Sequence, residues 1–117
     1  MGNPTSVSWT VDLTPPQVSE GSIIILDNEG YIGVATPNLQ LFAQEAFEMR
    51  FALAVDGFGA NWTPYATSYS SFDISTGGDG EKTVWVQFRD QAGNLSIPTA
   101  DRTVYDTTPP AVGQLII

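Results

Sequence analysis

Side chains that commonly carry out acid–base or nucleophilic chemistry are scarce in this chain. Its 117 residues include no histidine and no cysteine, so the usual general base, the thiol nucleophile and any thiolate metal site are absent. Pairs of carboxylates can hydrolyse glycosidic bonds, but they need a cleft that a small domain seldom provides. The composition therefore predicts a protein that is not an enzyme.

Oxygen-bearing side chains near predicted turns suggest a second chemistry, the binding of a divalent cation. An antiparallel β-domain would bring four candidates to one pole, namely Asp12, Glu45, Asp90 and Asn94. Carboxylate and amide oxygens are the ligands that Ca²⁺ prefers. These residues are therefore a candidate calcium site, and the sequence points to no other cofactor. In the simpler alternative, Asp90 and Asn94 bind backbone amides and fix their own hairpin.

Aromatic side chains suggest a third chemistry, stacking against a sugar ring. The candidates for this carbohydrate site are Trp62, Tyr65 and Trp85. In the alternative interpretation, Trp62 and Tyr65 pack as a corner that covers the core. Trp85 alternates with the apolar residues of its strand, so its ring is expected to face away from the core, partly exposed and shielded by Arg50 or Arg89.

The elements that must position these groups are predicted to be β-strands, because apolar residues recur with a period of two rather than 3.6. The ten alternating positions predicted to form the core are Ile23, Ile25, Leu39, Leu41, Met49, Phe51, Leu53, Val84, Val86 and Phe88. The segment Leu41–Phe51 also contains good helix formers. Its apolar residues nevertheless keep the phase of a strand, so no helix is predicted there.

Further strands are predicted at Ser22–Leu26, Ser70–Ser75 and Ile97–Tyr105, and Pro98 in the last of them indicates a sheet edge. Glycine-containing turns, such as the one at Asp56-Gly57, separate the strands. Roughly six or seven short strands punctuated by turns are typical of a sandwich of two sheets. The predicted fold is therefore all-β, an antiparallel two-sheet sandwich of about seven strands.

One sequence motif occurs twice. Asp12–Pro16 (D-L-T-P-P) is echoed 94 residues later (106 − 12) by Asp106–Pro110 (D-T-T-P-P). Val18 and Ile23 also have identical residues at that offset. A motif that recurs after the length of one domain is typical of tandem arrays. In the alternative interpretation, the two copies are unrelated loops of one unrepeated domain.

The repeated motif predicts how the chain is divided. Residues 1–13 would be the tail of a preceding repeat and its linker, residues 14–106 one domain, and residues 107–117 a linker and the start of the next repeat. Each Thr-Pro-Pro segment is stiff and extended, because proline fixes φ and removes a backbone donor. The junctions between domains are therefore predicted to be semi-rigid.

The charge of the chain limits its partners. Thirteen acidic and four basic residues give a net charge of −9 at pH 7. Nucleic acids and anionic bilayer surfaces are bound by cationic surfaces, so neither is a predicted partner. The chain also lacks a run of about 18 apolar residues, so no insertion into a membrane is predicted.

Several segments resemble a known family. They are Trp62–Ala66 (W-T-P-Y-A), Gly78–Asn94 (G-D-G-E-K-T-V-W-V-Q-F-R-D-Q-A-G-N) and Asp106–Pro110. Together they resemble the bacterial immunoglobulin-like (fibronectin type III-like) repeats that occur in tandem in surface and secreted proteins. The resemblance covers Phe47–Pro110, and it implies an immunoglobulin-like sandwich located outside the cell or at its surface. Such repeats serve as stalks, spacers and adhesin modules, and a few bind sugars or calcium.

The sequence thus predicts a non-catalytic structural or interaction repeat, a spacer or an adhesin stalk module of a multidomain extracellular bacterial protein. Its expected partners are the neighbouring repeats of the same chain, and a surface glycan or protein is a further candidate partner. The alternative function is that of a small carbohydrate-binding module that uses exposed aromatic rings.

Overall fold

The computed structural model describes residues 13–107. Asp12 and the rest of residues 1–12 and 108–117 lie outside the described residues. Residues 13–107 form eight β-strands and one short 3₁₀ turn, with no α-helix, so the all-β prediction is confirmed. The strands are β1 (Ile23–Leu26), β2 (Tyr31–Ile32), β3 (Asn38–Leu41), β4 (Glu48–Ala52), β5 (Thr63–Pro64), β6 (Ser68–Tyr69), β7 (Gly80–Arg89) and β8 (Thr99–Tyr105). No helix in this part of the chain is long and apolar enough to cross a bilayer.

The strands form two sheets. One sheet has three strands in the order β1-β3-β6, and the other has five in the order β2-β8-β7-β4-β5. Neighbouring strands are antiparallel except β2 and β8, which run parallel, so this pair differs from the antiparallel arrangement predicted. The difference arises because a turn at Asn28–Gly30 directs β2 along the end of β8, where the Val104 amide donates to the Gly30 carbonyl.

The hydrophobic core lies between the two sheets and follows the predicted alternation. Eight of the ten predicted core residues are buried, and the other two, Phe51 and Leu53, are half-buried and pack against the same cluster. Ala43, Ile74 and Tyr105, which were not among the ten predicted residues, also join the core. Inward-facing residues of both sheets therefore share one apolar interior, which is the main source of stability of such a domain.

Strand β4 is covered on both faces. The loop after the strand folds back over Ala52, and a Cβ atom at Gly57 would lie 3.8 Å from that of Ala52. Phe51 meets the aromatic side chain of Tyr69, with 4.8 Å between the ring centroids. The strand phase was correct here, because Phe51 packs against the core cluster although it is only half-buried.

The segment Ser70–Ser75 is not a strand, so that prediction is wrong. Only Ser68–Tyr69 pairs with β3. Beyond it, the carboxylate of Asp73 accepts hydrogen bonds from the backbone amide and the hydroxyl of Ser75, at 2.7 and 2.6 Å. Such local bonds compete with a sheet ladder. The buried residue of the segment, Ile74, is held instead by a bond from its amide to the carbonyl of Ala35.

Two side chains of β8 connect the sheets to each other. Asp101 accepts a hydrogen bond of 2.8 Å from the backbone amide of Ile25, in the edge strand β1 of the other sheet. The hydroxyl of Thr103, which is buried, donates to the carboxylate of Asp27 at 2.6 Å. The carboxylate of Asp101 therefore satisfies a backbone group that an edge strand would otherwise expose.

The chain enters the domain at the end of β7 that carries Arg89. Gln17 forms an isolated bridge with Gln44, and the amide of Phe47 donates to the Arg89 carbonyl at 2.8 Å. A second isolated β-bridge joins Arg89 to Leu95 on its other side. We call this end, defined by these five residues, the incoming pole.

The chain leaves at the opposite end of the same strand. Tyr105, the last residue of β8, pairs with Gly80, the first residue of β7. The next two residues are also held, because the Asp106 amide donates to the Ile32 carbonyl and Thr107 bonds to Asp79. We call this end the outgoing pole. Since β7 has ten residues, the two poles lie roughly 30 Å apart.

Candidate functional site

The first candidate pair, Asp90 and Asn94, forms a closed hydrogen-bonded turn between β7 and β8. Asp90 is only 5% exposed. One carboxylate oxygen accepts from the Asn94 amide and the other from its side-chain nitrogen, both at 2.9 Å. Gly93 completes the turn at φ = 94°, a conformation that favours glycine, and its amide donates to the Asp90 carbonyl. Asp90 thus fixes the hairpin, as the simpler alternative proposed.

The other two candidate calcium ligands are placed differently. Glu45 is exposed and has φ = 63°, in the segment between Gln44 and Phe47 at the incoming pole. The structure therefore brings Glu45 to the same pole as Asp90 and Asn94. Within residues 13–107, no three carboxylate, histidine or cysteine side chains are arranged to hold a metal ion. Since Asp12 lies outside the described residues, the four-residue calcium site stays a prediction.

Calcium is expected to leave the thermal stability of the chain unchanged. Asp90 is nearly buried and both oxygens of its carboxylate already accept bonds from Asn94, so the hairpin is held without an ion. The measurement is the melting temperature in millimolar calcium and in chelator. An ion bound only to the folded state would add about 2.7 kcal/mol at a hundredfold excess over Kd.

The control for that experiment is Asp90→Asn. This variant should melt at a lower temperature than the parent by the same amount in both solutions, because its hairpin loses a charged acceptor. A calcium-dependent rise in the parent that the variant lacks would contradict the expectation and establish a calcium site.

Trp62 lies beneath two arginines. The guanidinium carbons of Arg50 and Arg89 are each 4.4 Å from the centroid of its half-buried ring. Arg50 is oriented by a 2.7 Å bond to the side-chain oxygen of Gln87, and Arg89 by a 2.7 Å bond to the Glu48 carboxylate. The ring therefore takes part in a cation–π cluster on the outer surface of the five-stranded sheet, where it fixes the start of β5.

Tyr65 packs over the core, as the alternative interpretation proposed. Its ring meets the edge of the buried Phe88 ring at a centroid distance of 5.9 Å, and its hydroxyl accepts a hydrogen bond from the Ala43 amide. The tyrosine therefore joins the end of β3 to the segment after β5. Both polar and apolar parts of its side chain already have partners inside the domain.

Trp85 is separate from the other two rings. It lies in β7 between Ala52 and Ala100, two strands away from Trp62. The expectation that an arginine covers Trp85 is wrong, because both guanidinium groups lie over Trp62. The described structure contains no ring contact between Trp85 and Trp62 or Tyr65. The three candidates therefore do not form one stacking surface.

Sequence reasoning missed an exposed apolar surface on the three-stranded sheet. Ile24, Leu26 and Phe42 are between 41% and 55% exposed and border an open groove of about 590 Å³. The sequence does indicate this surface. Strand β1 is apolar at every position, and Phe42 lies between two inward-facing residues, so its own side chain faces outward.

Comparisons with known proteins found no relative. No family model matches the chain, and neither the curated proteins nor the solved structures contain a match. The resemblance to bacterial immunoglobulin-like repeats therefore depends on the residues quoted for it, and a function has to be argued from the geometry of the domain itself.

Proposed function

We propose that the chain carries an immunoglobulin-like sandwich that serves as a non-catalytic spacer, one unit of a tandem series in a multidomain extracellular bacterial protein. The observation that carries this proposal is the position of the two poles. The incoming segment contacts the domain beside Arg89, and the outgoing segment contacts it beside Gly80, at the other end of β7. A unit with this geometry extends a chain instead of folding it back.

The spacing of the repeated motif supports the same function. The Asp-x-Thr-Pro-Pro motif recurs after 94 residues, which is the length of one domain and one linker. In many domains the termini lie close together, which suits insertion into another fold. Here the incoming and outgoing poles of the described domain lie roughly 30 Å apart, so each added unit would lengthen an array along the direction of β7.

The alternative function, carbohydrate binding through aromatic rings, receives less support. Two guanidinium groups lie over the ring of Trp62. Tyr65 is hydrogen-bonded to Ala43 and packs on Phe88. A stacking surface for sugars needs free ring faces, and these two rings already have partners. The absence of histidine and cysteine from the sequence favours a role without catalysis.

The proposed location is outside the cell or at its surface, and the proposed partners are neighbouring units of the same chain. The location follows from the family resemblance, and the net charge of −9 suits a soluble, extended array.

The test is small-angle X-ray scattering of a two-unit chain, made by adding a second copy of residues 24–106 after Ile117, which aligns with Ile23. An extended arrangement should lengthen the maximum dimension by roughly 40 Å over the original chain, from the length of β7 and four linker residues. A radius of gyration near the roughly 16 Å of a compact globule of that size would contradict the spacer function.

A further inference from the structure

The outgoing segment is anchored to the domain beyond its last strand. The amide of Thr107 donates to one oxygen of the Asp79 carboxylate at 3.0 Å, and its hydroxyl donates to the other at 2.8 Å. Asp79 follows two glycines with φ of 86° and 80°, a backbone path that other residues rarely adopt. The direction in which the chain leaves the domain is therefore set by a dedicated loop.

Little chain separates this anchor from the next unit. At the 94-residue offset, residues 108–117 match residues 14–23 and are identical to them at five of ten positions. Gln17, which pairs with Gln44 at the incoming pole, corresponds to Ala111. Only four residues lead from Thr107 to that position, and four residues span at most about 14 Å. In a tandem array, the incoming pole of a following unit would therefore lie within about 14 Å of the point at which the chain leaves this one.

Both poles carry exposed apolar side chains where the two units would meet. At the outgoing pole, Tyr31 and Val34 are 56% and 53% exposed, close to Asp106, whose carbonyl oxygen lies 3.4 Å from a Cβ atom placed at Gly33. At the incoming pole, Phe47 and Leu95 are 51% and 48% exposed on either side of Arg89. Exposed apolar side chains on two surfaces that a short linker would hold close together favour an interface between them.

We propose that successive units dock head to tail, with Tyr31 and Val34 of one unit against Phe47 and Leu95 of the next. The occupant of each pole is thus a second copy of this domain, and the bond from Thr107 to Asp79 positions it. Two different surfaces meet in such a contact, so the same contact can recur at every junction of an array. The inference rests on the proposed tandem arrangement, and it assigns the stiffness of the junction to apolar docking and a hydrogen-bonded linker.

The experiment measures the distance between two spin labels in the two-unit chain. The protein has no cysteine, so Ser70→Cys in each unit places one label per unit at an exposed position away from both poles. Pulsed electron–electron double resonance should give one narrow distribution of distances between the two labels. Phe47→Ser in the second unit should abolish the narrow peak, because it removes an apolar contact from the junction.

The matched control is the same substitution in the first unit, whose incoming pole faces no complete domain. It should leave the narrow peak unchanged. Asp79→Ala provides a second, independent pair of variants. Made in the first unit, it should broaden the distribution of distances; made in the second unit, it should have no effect. Circular dichroism melting of each variant separates loss of docking from loss of the fold.

Broad distances in the parent, or a narrow peak that survives both Phe47→Ser in the second unit and Asp79→Ala in the first, would overturn the docking proposal. The spacer function is judged separately, by the overall length in scattering. An elongated particle with broad label distances would contradict docking alone, whereas two units lying side by side would contradict the spacer function as well.

Discussion

Replacement of Phe88 by alanine is expected to lower the free energy of unfolding by about 3–5 kcal/mol, the usual range for a buried aromatic residue. Phe88 is completely buried in β7, between the two sheets. Its ring also meets the ring of Tyr65 edge to face, so the substitution would leave a cavity and remove an aromatic contact. Urea unfolding followed by tryptophan fluorescence would measure the loss.

The matched control is Phe42→Ala, the same substitution at a residue that is 55% exposed. Its cost should be below about 1 kcal/mol, since most surface substitutions have small effects. Equal losses in the two variants would show that the assignment of inward and outward faces is incorrect.

Replacement of Asp101 by alanine is expected to cost about 1.5–3 kcal/mol, the range for a hydrogen bond that involves a charged group. The substitution would leave the part-buried amide of Ile25 without its acceptor. It would also open the free edge of β1 to pairing with another chain. The variant should therefore unfold at lower urea concentration and associate at high protein concentration, which light scattering would detect.

Two controls accompany this prediction. Asp56→Ala removes an exposed carboxylate in a turn and should change the stability by less than about 0.5 kcal/mol. Asp101→Asn keeps a side-chain oxygen that can accept from the Ile25 amide, so it should retain part of the lost stability. If Asp101→Ala and Asp56→Ala unfolded at the same urea concentration, the bond across the sheets would contribute nothing to the fold.

Local information in the sequence was sufficient to predict the phase of the strands and one of the turns. A period of two needs only residues i and i+2, so the inward faces of β3 and β7 could be predicted from the chain alone. The turn at Asp90 and Asn94 was also predictable, because its bonds join residues four apart. Local periodicity gave the wrong prediction at Ser70–Ser75, where hydrogen bonds between Asp73 and Ser75 take the place of the expected strand.

Only the tertiary structure decided which distant residues meet. Trp62 is covered by Arg50 and Arg89 because β4 lies between β5 and β7, and strand order has no signature in one strand's sequence. Asp101 faces inward, against the usual exposure of charged residues, because the edge of β1 lies opposite it. The opposite positions of the two poles likewise follow from how β8 returns along β7. Each of these features depends on pairing between segments far apart in the chain, which local periodicity does not specify.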